Sequence, residues 1–166
     1  MTQEPETRSQ VDEPVVAVMP NVTLMRGFLG IGSRQHTLVL TKRRIIFARM
    51  TTQMMKEMTA EARDSAKADG KGFFGQWGAQ IAAGLSFAAR YLEMSPEDVL
   101  AEHPANFAIE ADSIVKSRLK AGGAGNANVA ASPDELIIKT KGKKYKMHLG
   151  AGVGQAREAL VEAELI

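Results

Sequence analysis

The sequence predicts an α+β fold: a curved antiparallel sheet or partly open barrel, closed at one end by a C-terminal helix, with a helical block inserted between strands. Three observations predict it. HTLVLT and RIIFAR, residues 36–41 and 44–49, flank a Lys42–Arg43 turn and read as a β-hairpin. ELIIKT and KKYKMHL, residues 135–140 and 143–149, flank Gly142 and read as another. Between the two hairpins, residues 51–104 abandon two-residue alternation for a helical period.

The elements follow in chain order. Residues 1–13 are polar, acidic and proline-bearing, and are expected to form a disordered tail ahead of a single domain over residues 14–166. VVAVMP opens the ordered part, with a break expected at Pro20–Asn21. NVTLMRGFLGIGS is rich in strand formers, and Gly27, Gly30 and Gly32 suggest bends or bulges. In the first hairpin, Leu38, Leu40, Ile45 and Phe47 share one side, and Val39 and Ile46 take the other.

Met50, Met54, Met58, Ala62 and Ala66 recur every four residues, which predicts an amphipathic helix ending near Asp69–Gly70. Gly72–Leu92 gives a second helix, with Phe74, Trp77, Ile81, Leu85 and Ala88 at helical spacing and Phe73, Phe87 and Leu92 close to that stripe. Ser95-Pro96-Glu97-Asp98 is a helix start: serine caps, proline takes the first position, and acids face the positive end. Strand character returns at 107–109 and 113–119, and the glycine-rich stretch 120–132 reads as a mobile loop. The closing helix, VGQAREALVEAELI, is expected to bury Val153, Ala156, Leu160 and Val161.

Composition narrows the function classes. The chain has 166 residues, enough to bury a core without staples, and no cysteine, so disulfides, thiolate metal sites and a cysteine nucleophile are excluded. The net charge of +2 is uneven. Residues 1–14 carry Glu4, Glu6, Asp12 and Glu13 against Arg8, a balance of −3 that leaves the remainder at +5. Such a body suits an anionic lipid surface, nucleic acid or an acidic protein face. The N-terminus lacks a basic segment followed by an apolar run, so no secretory signal is expected. No uninterrupted apolar stretch reaches the roughly 18 residues of a spanning helix. The expected location is cytoplasmic, with the inner membrane face as the alternative.

The strand–turn–strand HTLVLTKRRIIFAR (36–49), the strand–acid–Ser–Ile–strand step NFAIEADSIVKSRL (106–119), and ELIIKTKGKKYKMHL followed by a helix together resemble the bacterial and archaeal relatives of the pleckstrin homology domain, a PH-like or GRAM-like fold. The resemblance covers residues 15–49 and 105–166 and leaves 51–104 as an insertion. It implies a binding module, with phosphoinositides as ligands of some members and proteins of many others. Lipid-binding members place basic residues on an early strand–loop–strand; here that loop carries Arg26 and Arg34.

The candidate binding residues form two sets. Lys139, Lys141, Lys144 and Lys146 alternate with core-facing neighbours on the second hairpin, joined by His148. Lys42 and Arg43 add a basic turn on the first. These are candidates for an anion or an acidic partner, although lysines also blunt exposed strands against pairing. Phe73, Phe74, Trp77 and Ile81 form an apolar set for a protein partner, a second copy or a membrane interface, or for packing inside the fold. LGAGVGQ spaces its glycines as G-x-G-x-G rather than G-x-G-x-x-G, and reads as a strand-to-helix turn. His36, His103 and His148 fall in no metal-ligand spacing, and no hydrolase or phosphate-loop motif occurs. The expected function is therefore a non-catalytic interaction module without a cofactor or metal. It would bind a protein partner or self-associate through the insertion, or alternatively dock on anionic lipid through the basic hairpin and aromatic helix. Nucleic acid is not expected.

Overall fold

The computed structural model describes residues 13–68 and 87–166. Seven strands form one antiparallel sheet: β1 (Ala17–Leu24), β2 (Arg34–Leu40), β3 (Arg44–Arg49), β4 (Phe107–Glu110), β5 (Ile114–Lys120), β6 (Asp134–Thr140) and β7 (Lys144–Leu149). Their order is β4-β3-β2-β1-β7-β6-β5, so the sheet curls without closing, and the consecutive strands β4 and β5 are its two edges. Helices α1 (Thr52–Ala68) and α2 (Pro96–Ala101) lie between β3 and β4. Helix α3 (Val153–Glu162) follows β7 and packs on β1.

Pro20–Asn21 does not break the first strand, as its composition suggested. It bulges it. The register of β1 against β2 shifts between Met19 and Val22, and Asn21 takes φ 57°, a left-handed conformation that asparagine tolerates better than most residues. Before the bulge β1 pairs with β2; after it Val22, Thr23 and Leu24 pair with β2 on one side and β7 on the other. Gly150, at the end of β7, donates its N–H to the Asn21 carbonyl at 2.9 Å. A Cβ there would sit 2.7 Å from the Asn21 Cβ, so glycine is needed for the approach.

Two cores result from the alternation of β2 and β3. Leu38, Leu40, Ile45 and Phe47 point into the curl, where they meet Val22, Leu136, Ile138, Met147 and Leu160. Phe47 and Phe107 stack at 4.5 Å, Tyr145 lies 6.0 Å from each, and His36 meets Phe47 edge-on. This aromatic set joins strands from both halves of the chain. Val39, Ile46 and Ala48 point outward under Tyr91 and Val99, so the later part of the insertion covers the outer face of β2 and β3. Asn106 fastens it: its amide donates to the Val99 carbonyl at 2.7 Å and its side-chain oxygen accepts from Arg49 N–H at 2.7 Å.

Local signals account for the helix ends. Ser95 accepts the Asp98 N–H at 3.1 Å and Pro96 opens α2, as the capping pattern predicts. Arg44 grips Glu13 through two nitrogens and also reaches Glu97 at 2.6 Å. Glu13, which composition grouped with the acidic tail, is therefore anchored, and burial of this ion pair explains why.

Three expectations change. The face of α3 turned to the core is Ala156, Ala159 and Leu160, continued by Ala163, while Val161 is exposed. Small side chains let the helix sit close against β1, and that rotates Val161 outward. Tyr91 rather than Leu92 is buried, because the short 3₁₀ turn Arg90–Glu93 breaks the α period. The glycine-rich stretch continues the β5–β6 hairpin: Ser132 N–H donates to Gly123 at 3.0 Å and Asn126 bridges Val129. A Cβ on Gly122 would lie 2.0 Å from the Ser132 carbonyl oxygen, so glycine here permits contact between two arms.

His36 is buried, and burial lowers its pKa below the ordinary imidazole value, against a 3.0 Å bond to the Arg34 carbonyl and with help from the charges of Arg49 and Arg26. The unfolded chain then takes up the proton more readily, so folding stability falls as pH drops through the ordinary value of 6.5 toward the depressed one. Urea unfolding between pH 7 and 5 should show this loss, and His36→Leu should flatten it; an unchanged slope in the variant would assign the loss to another group. In the same assay Leu160→Ala should cost about 2–5 kcal/mol, whereas Val161→Ala should stay within about 0.5 kcal/mol. Equal losses would mean that α3 turns a different face to β1.

Candidate functional site

The pleat that buries Leu136, Ile138 and Met147 and half-buries Tyr145 turns the alternate residues of the same strands outward. Strand register then arranges them in rows. Lys116, Lys139 and Lys144 are paired across β5, β6 and β7. Arg118, Ile137 and Lys146 form the next row, and Lys120, Glu135 and His148 the third. Six cations thus face one carboxylate, a local balance of +5 on a chain whose total is +2, so the rest of the molecule is −3.

Glu135 is the internal counter-ion. It bonds Lys146 at 2.8 Å and lies 3.7 Å from His148. The Lys146 bond holds its carboxyl below the ordinary glutamate range against the opposing effect of burial, with further help from the charges of Lys146, Lys120 and His148. Among the described residues Lys116, Arg118, Lys139 and Lys144 have no carboxylate within ion-pair distance. They surround a shallow groove of about 300 Å³ with Ile137 in it.

The β6–β7 turn carries the basic surface to the end of the sheet. Thr140 accepts the Lys143 N–H through its hydroxyl, and the Lys143 ammonium lies 5.1 Å from the Tyr145 ring centre. Lys141 is exposed in this turn, its N–H bonded to the Ser113 carbonyl. Beside the turn is the β1–β2 connection. Met25 N–H donates to the Lys146 carbonyl at 2.9 Å, and Arg26, Gly27, Lys143 and Lys144 line a common groove of about 370 Å³.

This connection is not strand, although its composition favours strand formers. Gly27, Gly30 and Gly32 all take positive φ and wind Phe28–Gly30 into a 3₁₀ turn. Leu29 also has φ 56°, a strained conformation for a bulky residue. A Cβ on Gly27 would lie 2.5 Å from the Ile31 carbonyl oxygen. The outcome is a tight loop that leaves Phe28 83%, Leu29 84% and Ile31 76% exposed. Three adjoining apolar side chains turned to solvent beside a cationic hairpin tip are the least expected feature of this surface.

Other candidates separate from this site. Lys42 and Arg43 sit at the opposite end of the sheet, since β1 runs antiparallel to both β2 and β7. Lys42 pairs with Glu164, and Arg43 lines a groove with Glu93, Glu97 and Asp98. Phe73, Phe74, Trp77 and Ile81 lie outside the described residues. The LGAGVGQ turn meets an internal acid: Asp134 accepts Val153 N–H at 2.9 Å and Gly122 N–H at 2.6 Å, so a carboxylate of the fold already occupies the helix start. His103 accepts the Ala105 N–H within its own turn. Among the described residues no group of three histidine, aspartate or glutamate side chains converges in a metal-like cluster, and no helix is long and apolar enough to cross a membrane.

Sequence reasoning found β6 and β7 but missed Lys116, Arg118 and Lys120 on β5. Their signal was present as the same two-residue alternation in IVKSRLK. Phe28, Leu29 and Ile31 were missed too: Gly27, Gly30 and Gly32 signalled a bend there, and the exposure of the apolar residues between them was not read from it.

No protein-family model matches the chain, and no curated protein matches it. Among solved structures it is similar to the C-terminal domain of an unknown protein from Leishmania infantum, at 13% identity over 93% of this chain and 86% of that one, with a TM-score of 0.45. A likeness at that level carries nothing about function.

Proposed function

We propose that the chain is a non-catalytic, PH-like interaction module that docks peripherally on an anionic membrane surface. The strand order, the bulged shared strand and the closing helix support the PH-like reading. One observation carries the membrane reading: Phe28, Leu29 and Ile31 are exposed on the loop whose first residues, Arg26 and Gly27, share a groove with Lys143 and Lys144 of the β6–β7 tip. Burying one such side chain is worth about 1.5–3 kcal/mol, and each cation near an anionic leaflet about 1 kcal/mol. Neither set alone holds a protein firmly; together they give the two signals that stable peripheral attachment needs. The basic hairpin keeps its expected role, and the β1–β2 loop supplies the apolar element that the aromatic helix was expected to supply. A protein partner or a second copy bound through Phe73, Phe74, Trp77 and Ile81 is the other reading.

Pelleting with phosphatidylserine-containing vesicles and with phosphatidylcholine vesicles, at low and high salt, tests the proposal. Binding is expected to the anionic vesicles, to weaken with salt, and to fall about tenfold in Phe28→Ser, equivalent to about 1.4 kcal/mol. Lys143→Glu/Lys144→Glu should reduce it further. Absence of binding, or binding indifferent both to lipid charge and to Phe28→Ser, would sink the proposal.

A further inference from the structure

The outer face of β5, β6 and β7 lies on the flank of the sheet, whereas the apolar loop and hairpin tip lie at its end. We infer that this flank is a second binding site, whose ligand is an acidic polypeptide segment with an apolar residue two positions from a carboxylate, on the same face. Four observations converge on that chemistry. Lys116, Arg118, Lys139 and Lys144 are without carboxylate partners among the described residues. They ring Ile137, a half-buried aliphatic side chain turned to the outer face, where the pleat otherwise places charge. The groove of about 300 Å³ admits a side chain rather than a flat surface. Glu135 pairs with Lys146 and leaves the other cations of the two rows nearest the tip without a counter-ion.

Spacing supports an extended segment. Neighbouring strands stand about 4.8 Å apart, and outward residues on one strand about 6.7 Å apart. Alternate side chains of an extended peptide repeat at the same roughly 6.7 Å and share a face, so a carboxylate can meet the Lys116–Lys139–Lys144 row while the residue two positions on reaches the Ile137 row. That second residue, if apolar, can settle on Ile137 and the lysine stems, since lysine keeps its methylenes along apolar surface and its charge in water. Arg118 offers the planar fork that binds a carboxylate through two bonds.

The test uses the full chain and two labelled ten-residue peptides, one with leucines two positions from aspartates and glutamates, the other with glycines in place of those leucines. Anisotropy titrations should show salt-sensitive binding of both, with the leucine peptide several-fold tighter. Lys139→Glu/Lys144→Glu should abolish both signals. Ile137→Ser should remove the leucine advantage and keep the salt-sensitive part, an outcome that misfolding would not produce. Phe28→Ser should leave peptide binding unchanged, which separates this site from the membrane-docking loop. Equal affinity of the two peptides, equally tight binding of a single-stranded DNA oligonucleotide, or displacement of the leucine peptide by phosphatidylserine vesicles from the Phe28→Ser variant would overturn the inference.

Discussion

Strand β1 is the constraint on which the rest of the structure depends. Its last residues, Val22 to Leu24, carry backbone pairs to β2 and to β7 at once, and so fuse two three-stranded runs into one sheet. The bulge at Pro20–Asn21 lets one strand serve both. It bends the chain, places a proline where no N–H is needed, and offers the Asn21 carbonyl to Gly150. Because β1 is shared, Leu38 and Phe47 from the first half meet Leu136 and Met147 from the second inside one curl. The insertion can then occupy the outer face of β2 and β3 without disturbing that interior.

The same arrangement sorts the surface. On β2 and β3 Val39, Ile46 and Ala48 face outward and are covered; on β5, β6 and β7 most outward residues are cationic and open, with Ile137 and Glu135 among them. The sheet therefore has one flank committed to its own packing and one left charged. Its antiparallel order also sends the β1–β2 loop and the β6–β7 turn to the same end, while the Lys42–Arg43 turn goes to the other. A flexible scaffold would blur these positions. Here the Met25–Lys146 backbone bond ties loop to hairpin at its base, and the positive-φ glycines fix the loop's path.

Much of this was legible in the sequence because alternation is a direct consequence of pleating. The sides assigned to Leu38, Leu40, Ile45, Phe47, Val39 and Ile46 are those observed, and the Ser95-Pro96 start of α2 follows from local capping chemistry. What escaped depended on tertiary context. Pro20–Asn21 reads as a break until β7 and Gly150 are placed against it. Val161 and Ala159 exchange roles on α3 because close approach to β1 favours the smaller face. The clustering of Lys116 and Arg118 with Lys139 and Lys144 needs the β5–β6 register, which no single strand contains. The exposed loop escaped for another reason: its residues are good strand formers, and glycine geometry overrides that preference.

Sharing β1 should make both halves of the sheet one cooperative unit, and native-state hydrogen exchange tests that most directly. Amides of Leu38 in β2, Val22 in β1, and Leu136 and Met147 in β6 and β7 are expected to exchange through a single opening, with a common free energy and a common denaturant dependence. Exchange of the β5–β6–β7 amides through a separate opening of much lower free energy, with β2 and β3 still protected, would contradict it.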